Sequence, residues 1–545
     1  MTTVELRTHD IYPWRSGKDT CEVWIRGLFR YRGAYYEDGI PNELLKISSE
    51  EDFRAARSQL SGNYALICKV GKLTFAAVDR IAVYPLFYAC SLQGALISDS
   101  FTIMEGHQEH PCGDEESQME FLASQMVIGN RTMIKNVYTI EAGQYLVIDE
   151  TDRATLHDYD THSHTESYPN DVTWLTEKHN EVVDDVFERM ISTLHGRKVV
   201  LFLSGGYDSR LVAVQLHKHN YTNVLCVSYG KESDREASVA HKIADACGFE
   251  WILLDTDFHY IRTLIRTDAE MQAYQVHASN GLRVPYLEAV LLRPYFESGR
   301  IPTDCVIVNG NSGDFIEGDQ FCSQFVPGKE YSYSQLIDAI LDKHFTLSGK
   351  IISEFPTFRH IIYNLLHLSK SRMYSYDECQ ELYEQFNWRE RQCKYVITSM
   401  YECEDLLHVD WRLPLWDDAL VDFWLNVPIE QRAYRNLYYK IVGHENLPTA
   451  NVITSYRKLI DFSKEHFAPI ISFLYPLKKL YDFLGSDSPY YTSGVSEYLR
   501  VLSYTKGYRT NSVSFYAYVL SQTIYKPYFG DTRKFVKKML NEAAK

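Results

Sequence analysis

Short apolar or alternating runs recur through the first part of the chain, bounded by turn residues, a pattern that marks strands. Tyr64-Ala65-Leu66-Ile67-Cys68, Leu73-Thr74-Phe75-Ala76-Ala77-Val78 and Tyr145-Leu146-Val147-Ile148 carry it, so residues 1–150 are expected to form a β-rich unit. From Asp149 to Asn170 the chain is polar and has no periodic apolar face, which predicts an interdomain linker over 151–170. Val172, Leu175, Val182, Val186, Met190 and Leu194 then fall near a 3.6-residue repeat and predict a helix over 171–194. Lys198 opens the run Val199-Val200-Leu201-Phe202-Leu203, apolar on both faces as in a parallel strand covered from both sides. Helical and extended patterns alternate after it: 208–219 helical, 223–228 extended, 232–247 helical, 250–254 extended. The fold class expected is therefore α/β, with a doubly wound parallel sheet in residues 171–545 and a mainly helical region from about Tyr331 onward.

Composition narrows the function classes. The chain has 545 residues, enough to bury a core without disulfides. With 72 acidic and 56 basic residues the net charge is −16, which disfavours nucleic-acid backbones and anionic lipid as partners. The 11 cysteines form no C-x-x-C pair, and no apolar run reaches the ~18 residues a membrane span requires. Reduced thiols and an N-terminus (MTTVELRTHD) without a signal-like apolar core lead us to expect a cytoplasmic protein. His157, His162 and His164 in the polar stretch lack a carboxylate or cysteine pattern to complete a metal site and are read as solvated.

The chemistry is concentrated in Ser204-Gly205-Gly206-Tyr207-Asp208-Ser209-Arg210, between the 199–203 strand pattern and a helical one. Glycines let the backbone turn sharply and approach a ligand closely. The turn aims successive N–H groups and the positive end of the following helix at one point, which suits a phosphate group. Ser204 and Ser209 add hydroxyl donors, and Asp208 can hold Mg²⁺. No lysine stands where a Walker loop would place one, which argues against transfer of a γ-phosphate. A second loop, Asn309-Gly310-Asn311-Ser312-Gly313-Asp314-Phe315-Ile316-Glu317-Gly318-Asp319, follows the apolar run Val306-Ile307-Val308, and Asp314 is its candidate second Mg²⁺ carboxylate. The plainer reading of that loop is a turn that caps a helix.

On these residues the chain resembles the asparagine synthetase superfamily over nearly all its length. SGGYDSR resembles the pyrophosphate loop of the ATP pyrophosphatases, and NGNSGDFIEGD the later substrate and Mg²⁺ loop of that family. Asp410–Asp417 (DWRLPLWD) resembles the family's lead into a helix, and Leu437–Lys458, with Lys440, Pro448, Arg457 and Lys458, the segment carrying the catalytic lysine. Gly62-Asn63-Tyr64-Ala65, Asp79-Arg80, Pro85–Tyr88, Gly129–Thr132 and Ala142-Gly143 resemble a class II glutamine amidotransferase domain, which implies an Ntn-hydrolase-like sandwich for 1–150. The motifs look like a branch met in bacterial surface-polysaccharide gene clusters.

The resemblance implies an AMP-forming ligase that adenylates a carboxylate, such as a hexuronic acid of a glycan precursor, and transfers it to ammonia or an amine. ATP and Mg²⁺ are the cofactors implied. Leu203, Ser204, Gly205, Gly206, Asp208, Ser209, Val227 and Gly310 would bind nucleotide, with adenine near Leu203 and Val227; Asp208 and Asp314 would hold the metal; and Lys458, with those two acids, would act in catalysis. Glu236 would touch nucleotide or amine or serve its own helix, and Arg283 would be a carboxylate clamp or a surface arginine. The tyrosines of the C-terminal region, Tyr490, Tyr491, Tyr504, Tyr508, Tyr516 and Tyr518, would stack on sugar or pack in a core. Two departures matter. Thr2 stands where a family glutaminase has its cysteine, so no intrinsic glutaminase is expected, and nitrogen would come from ammonia, an amine or a separate partner. Phe315 stands where asparagine-forming members often have Glu, with Glu317 two residues on. Competing readings are an intramolecular amide-forming enzyme like the β-lactam synthetases and lasso-peptide cyclases, an ammonia-dependent asparagine synthetase, and a non-enzymatic binding module. A homodimer is compatible with each.

Overall fold

The computed structural model describes residues 2–442 apart from 92–93, 231–234, 256–267, 285–287, 346–355, 399–400 and 402–405. Its N-terminal half uses strands β1 (Thr3–Glu5), β2 (Arg15–Lys18), β3 (Glu22–Arg26), β4 (Ala65–Val70), β5 (Leu73–Val78), β6 (Phe87–Ser91), β7 (Gly94–Ser98), β8 (Tyr138–Thr139), β9 (Gln144–Ile148) and β10 (Ala154–Asp158). One antiparallel sheet runs β10-β9-β5-β4-β3-β2, and a mixed one runs β1-β7-β6-β8, with β1 parallel to β7. Alternation along β4, β5 and β9 divides two cores. Ala65, Ile67, Ala76, Val78, Leu146 and Ile148 share a cluster with Tyr88, Ala95 and Ile97 of the second sheet. Leu66, Cys68, Phe75, Ala77 and Tyr145 pack instead with Phe53 and Ala56 of α1 (Glu50–Arg57). The register, with Ala65 opposite Val78 and Leu146 opposite Ala76, keeps each set on its own face. The expected sandwich is this pair of sheets.

The stretch read as a linker is part of the body. Its residues 154–158 form edge strand β10, with Leu156 opposite Leu146. Beyond it, Thr165 and Tyr168 donate backbone N–H bonds of 3.0 Å to Leu425 and Asn426. His162, expected to be solvated, is 3% exposed, and the His164 side chain is 5% exposed beside Glu384. Polarity misled here because buried polar groups of the stretch meet groups of other elements, as Asp160 does with Arg80 and His162 with the Trp388 ring.

The second half begins with α2 (Val172–Ser192), capped by Asp171, whose carboxylate accepts from the Thr173 and Trp174 N–H groups. There follow β11 (Val199–Phe202), α3 (Tyr207–Lys218), β12 (Val224–Gly230), α4 (Arg235–Cys247), β13 (Glu250–Asp255) and β14 (Val306–Val308). Helices α5 (Tyr333–His344) and α6 (Tyr376–Phe386) open with capping boxes at Ser332 and Ser375, and α6 continues into a π-helical stretch, Asn387–Ile397. Then come β15 (Asp410–Arg412), α7 (Asp418–Asn426) and α8 (Asn436–Val442). The sheet is parallel throughout in the order β13-β12-β11-β14-β15, so this half is the doubly wound fold expected.

Residues 410–412, read as a lead into a helix, are instead its fifth strand. They hide that role because Asp410 and Arg412 are charged, yet both are buried and bonded to each other at 2.6 Å. The helix after them is as expected: Asp417 caps α7, accepting from the Ala419 N–H at 3.0 Å. From α5 to residue 397 the described chain is mainly helical, and this region shares a core with the sandwich, where Phe87, Phe121 and Met126 meet Leu336, Ile337 and Phe386. No helix among the described residues is long and apolar enough to cross a membrane.

Candidate active site at the switch point

From β11 the chain steps outward to β12 and β13, then returns to lay β14 on the other side of β11. The carboxyl ends of β11 and β14 therefore flank the topological switch point, where open α/β sheets bind ligands. The loop after β11 is Ser204–Gly206 and the loop after β14 is Asn309–Ser312.

The first loop is knitted by its serines. The Ser204 N–H donates to Ser209 Oγ at 3.1 Å, the two hydroxyls lie 3.1 Å apart, and Ser204 Oγ accepts from the Gly206 N–H at 3.1 Å. Gly206 is exposed and stands at the N-cap of α3 without a side chain. The Gly205 N–H has no partner among the described residues. A methyl on Gly205 would lie 3.4 Å from Cγ of Glu236, which is exposed in the first turn of α4. Leu203 and Val227 lie deeper than a ligand contact would suggest. Both side chains are buried, and the Leu203 N–H and carbonyl are already bonded to Val227 O at 2.9 Å and Ser228 Oγ at 2.6 Å.

The second loop touches the first through backbone. A Cβ on Gly310 would lie 2.8 Å from Ser209 N and 2.9 Å from the Asp208 carbonyl carbon, so only glycine fits there. A Cβ on Gly313 would lie 3.4 Å from Asp208 Cγ. Between these glycines Ser312 takes a left-handed φ of 56°, a strained conformation of the kind that clusters at functional sites.

The loops thereby bring Asp208, Asp314 and Glu317 into one field. Burial, then the charge of Asp208, pushes the Asp314 carboxyl up to about 6. Burial, again with Asp208, drives Glu317 well above the ordinary carboxylate range. One guanidinium answers this charge: Arg435 donates through Nη2 to both Asp208 Oδ1 and Glu317 Oε2. Burial opposes its charge, but Glu317 and Asp208 hold its pKa above the usual value. Arg435 lies 4.4 Å over the Tyr438 ring and 5.4 Å over Tyr439, and Tyr439 lies 5.4 Å from the Tyr207 ring. Tyr434 and Arg435 both have left-handed φ, 55° and 63°.

Arg435 was not singled out from the sequence. Phe315 is fully buried and turns away from the acids, stacking on Trp416 at 6.1 Å and His162 at 5.4 Å, while Glu317 faces Arg435. Lys458, Arg457, Pro448 and the C-terminal tyrosines lie outside the described residues. Arg283 is fully buried, which removes the surface alternative.

The acids suit Mg²⁺ as oxygen donors. No group of three or more His, Cys, Asp or Glu among the described residues is arranged to hold a metal ion. Two carboxylates completed by phosphate oxygens and water is an ordinary Mg²⁺ site, so Asp208 and Asp314 fit a metal that arrives with a polyphosphate.

In the sandwich, Gly62, Asn63 and Asp79 line a cavity of only 60 Å³ closed by Trp416, Asp417 and Asp418 of the second half. The Gly62 N–H donates to Asp418 Oδ2 at 2.9 Å, and burial pushes the Asp79 carboxyl up to about 7.

A family model described as "Queuosine biosynthesis protein QueC" matches residues 198–289, which include β11, the SGG loop, α3, β12, α4 and β13. No curated protein matches the chain. Among solved structures, glutamine phosphoribosylpyrophosphate amidotransferase from B. subtilis, complexed with ADP and GMP, is similar at 11% identity and a TM-score of 0.18. The match covers 55% of this chain and 63% of that one, and at such a score it carries no argument. The chain thus joins a two-sheet sandwich to a parallel sheet whose first segments are those matched by the QueC model.

Proposed function

We propose that the protein is an ATP-dependent carbon–nitrogen ligase that forms AMP. A carboxylate oxygen bonds to the α-phosphorus of ATP as the α–β bridge breaks and pyrophosphate leaves. An amine or ammonia nitrogen then bonds to the acyl carbon, AMP departs, and the nitrogen loses a proton. One observation carries this reading: two glycine-bearing loops meet backbone to backbone at the switch point with Asp208 and Asp314 beside them. The Gly205 N–H, the serine hydroxyls and the N-terminus of α3 would receive the outer phosphates. Mg²⁺ on Asp208 and Asp314 would supply charge neutralisation for the leaving pyrophosphate. Arg435 fixes Asp208 and Glu317, and Lys458 would steady negative charge during transfer.

The sandwich serves as a scaffold without glutaminase activity, nitrogen arriving as ammonia, as an amine or from a separate partner. The acid is a glycan precursor such as a hexuronic acid. The test is ATP–pyrophosphate exchange across uronic and amino acids, with products separated. AMP and pyrophosphate are expected, with a loss of ~10²–10³ in Asp208→Ala. ADP as the sole product, or full activity in Asp208→Ala, refutes the proposal.

A further inference from the structure

A cavity of 430 Å³ opens between the halves of the molecule on the far side of the second loop. Ser312 and Asp314 form one wall, Ser124, Gln125 and Met126 of the sandwich another, and α5 and the π-helical stretch the rest. No residue of the 204–210 loop lines it, and Asp314 is the side chain it shares with the acids at the switch point. The volume lies within the range of small-molecule sites.

Its lining is built for a ligand. Gln125 is 3% exposed and Asn387 1%, yet Gln125 Nε2 and Asn387 Nδ2 donate to nothing among the described residues. Burying such amides without partners costs stability, which a ligand with acceptor oxygens would recover. His344, 8% exposed, leaves its Nε2 without a partner in the same way. Lys343 and Arg391 also line the cavity; Arg391 lies 4.2 Å over the Tyr395 ring, and neither cation makes an ion pair with an acid among the described residues. Burial and then these two charges keep the His344 ring neutral, its pKa lowered to about 3, which places both cations in one field. The remaining lining is mostly hydroxyl and amide, with Gln320 and Gln392 able both to donate and to accept.

Resting on the ligase reading, we propose that this cavity seats the acid substrate, and that the substrate is a polyhydroxylated acid of about sugar size with a second anionic group, a carboxylate or phosphate, held by Lys343 and Arg391. A substrate whose only charge was the reacting carboxylate beside Asp314 would leave both cations unanswered. The orphaned amides and the Gln and Ser side chains select for hydroxyls along its body.

Calorimetric titration of the full chain, without nucleotide, tests this. The probes are glucuronic acid 1-phosphate, glucuronic acid and glucose 1-phosphate. The doubly anionic probe is expected to bind at one site and at least tenfold more tightly than either single-anion probe. Lys343→Gln, at an exposed position that should not disturb folding, is expected to weaken it by roughly threefold to tenfold, and Arg391→Gln by roughly tenfold or more, since a hydrogen bond to a charged group is worth that much. ATP affinity should be unchanged in both variants. Equal affinity for the three probes, no saturable binding of any, unchanged affinity in both variants, or displacement of the probe by ATP would each overturn the proposal. Pyrophosphate exchange in parallel separates the two claims. Binding as described with ADP as sole product refutes the ligase alone, whereas AMP formation from an acid indifferent to Lys343 and Arg391 refutes the cavity assignment alone.

Discussion

Replacing Arg435 by methionine keeps most of the side-chain stem and removes only the charge and its hydrogen bonds. The Arg435 side chain is 8% exposed and Glu317 1%, so the pair is shielded from water, whereas Asp208, at 19%, is partly solvated. Removing one partner of a buried pair typically costs 3–5 kcal/mol, because the remaining charge is left uncompensated. Here the penalty falls mainly on Glu317, which burial and Asp208 already drive well above the ordinary carboxylate range and which would then have to take up a proton or stay charged beside Asp208 and Asp314. Arg435→Met should therefore destabilise the second half by about 3–5 kcal/mol. At roughly 2–4 °C per kcal/mol for a domain of this size, that is a melting shift of at least ~6 °C.

Glu317→Gln removes the stranded charge, so the double variant should lose clearly less than the sum of the single losses, by about 2 kcal/mol. Thermal melts of the four proteins at neutral pH, followed by tryptophan fluorescence, read this cycle directly. A shift below 1 °C in Arg435→Met, or additive losses in the double variant, would refute the claim that one guanidinium neutralises the acids at the switch point.

Three further outcomes follow from neighbouring geometry. Gly310→Ala should abolish pyrophosphate exchange by ~10²-fold or more with little change in far-ultraviolet circular dichroism, because its Cβ would meet Ser209 N at 2.8 Å and force the loops apart; retained activity would sink the close-contact argument. Lys394→Met should cost about 3–5 kcal/mol and loosen the two halves, measured by limited proteolysis, because Lys394 bonds Glu141 at 2.7 Å and the Gly129 carbonyl at 2.7 Å in a buried cluster; wild-type resistance would count against it. Glu384 supplies an acid-sensitive element: burial opposes its charge, but Arg432, bonded at 2.7 and 2.9 Å, and His164 bring its carboxyl down to about 2. A depressed carboxylate stabilises the fold above its unfolded value near 4.5 and stops doing so as pH falls toward 2, so Arg432→Met should flatten that part of the acid-unfolding curve; an unchanged acid limb would disprove it.

The centre of the sheet and the glycine turn that follows it were legible because everything that defines them is local. Val199–Phe202 is apolar on both faces, Gly205 and Gly206 follow at once, and the α3 pattern begins at Tyr207, so strand, turn and helix can be read in ten consecutive residues. The sandwich was legible for a similar reason, since a period of two survives in β4, β5 and β9. What escaped depends on pairs far apart in the chain. Residues 154–158 and 410–412 carry too many polar or charged positions to look like strands until Asp158 is known to meet Arg389, and Asp410 to meet Arg197 and Arg412.

Arg435 is the extreme case. It is 227 residues from Asp208 and stands in an ordinary-looking Ala433-Tyr434-Arg435-Asn436. Two consecutive left-handed residues aim it inward, and L-residues announce that conformation in no composition or period. The same logic separates Phe315 from Glu317. Two positions apart on one short turn, they face opposite ways, and the packing of Trp416 and His162 against the phenyl ring decides which of them meets the site. A phenylalanine at position 315 therefore still leaves an acid facing Arg435, supplied by Glu317 two positions on, and the chemistry open to the site depends on what that acid contacts.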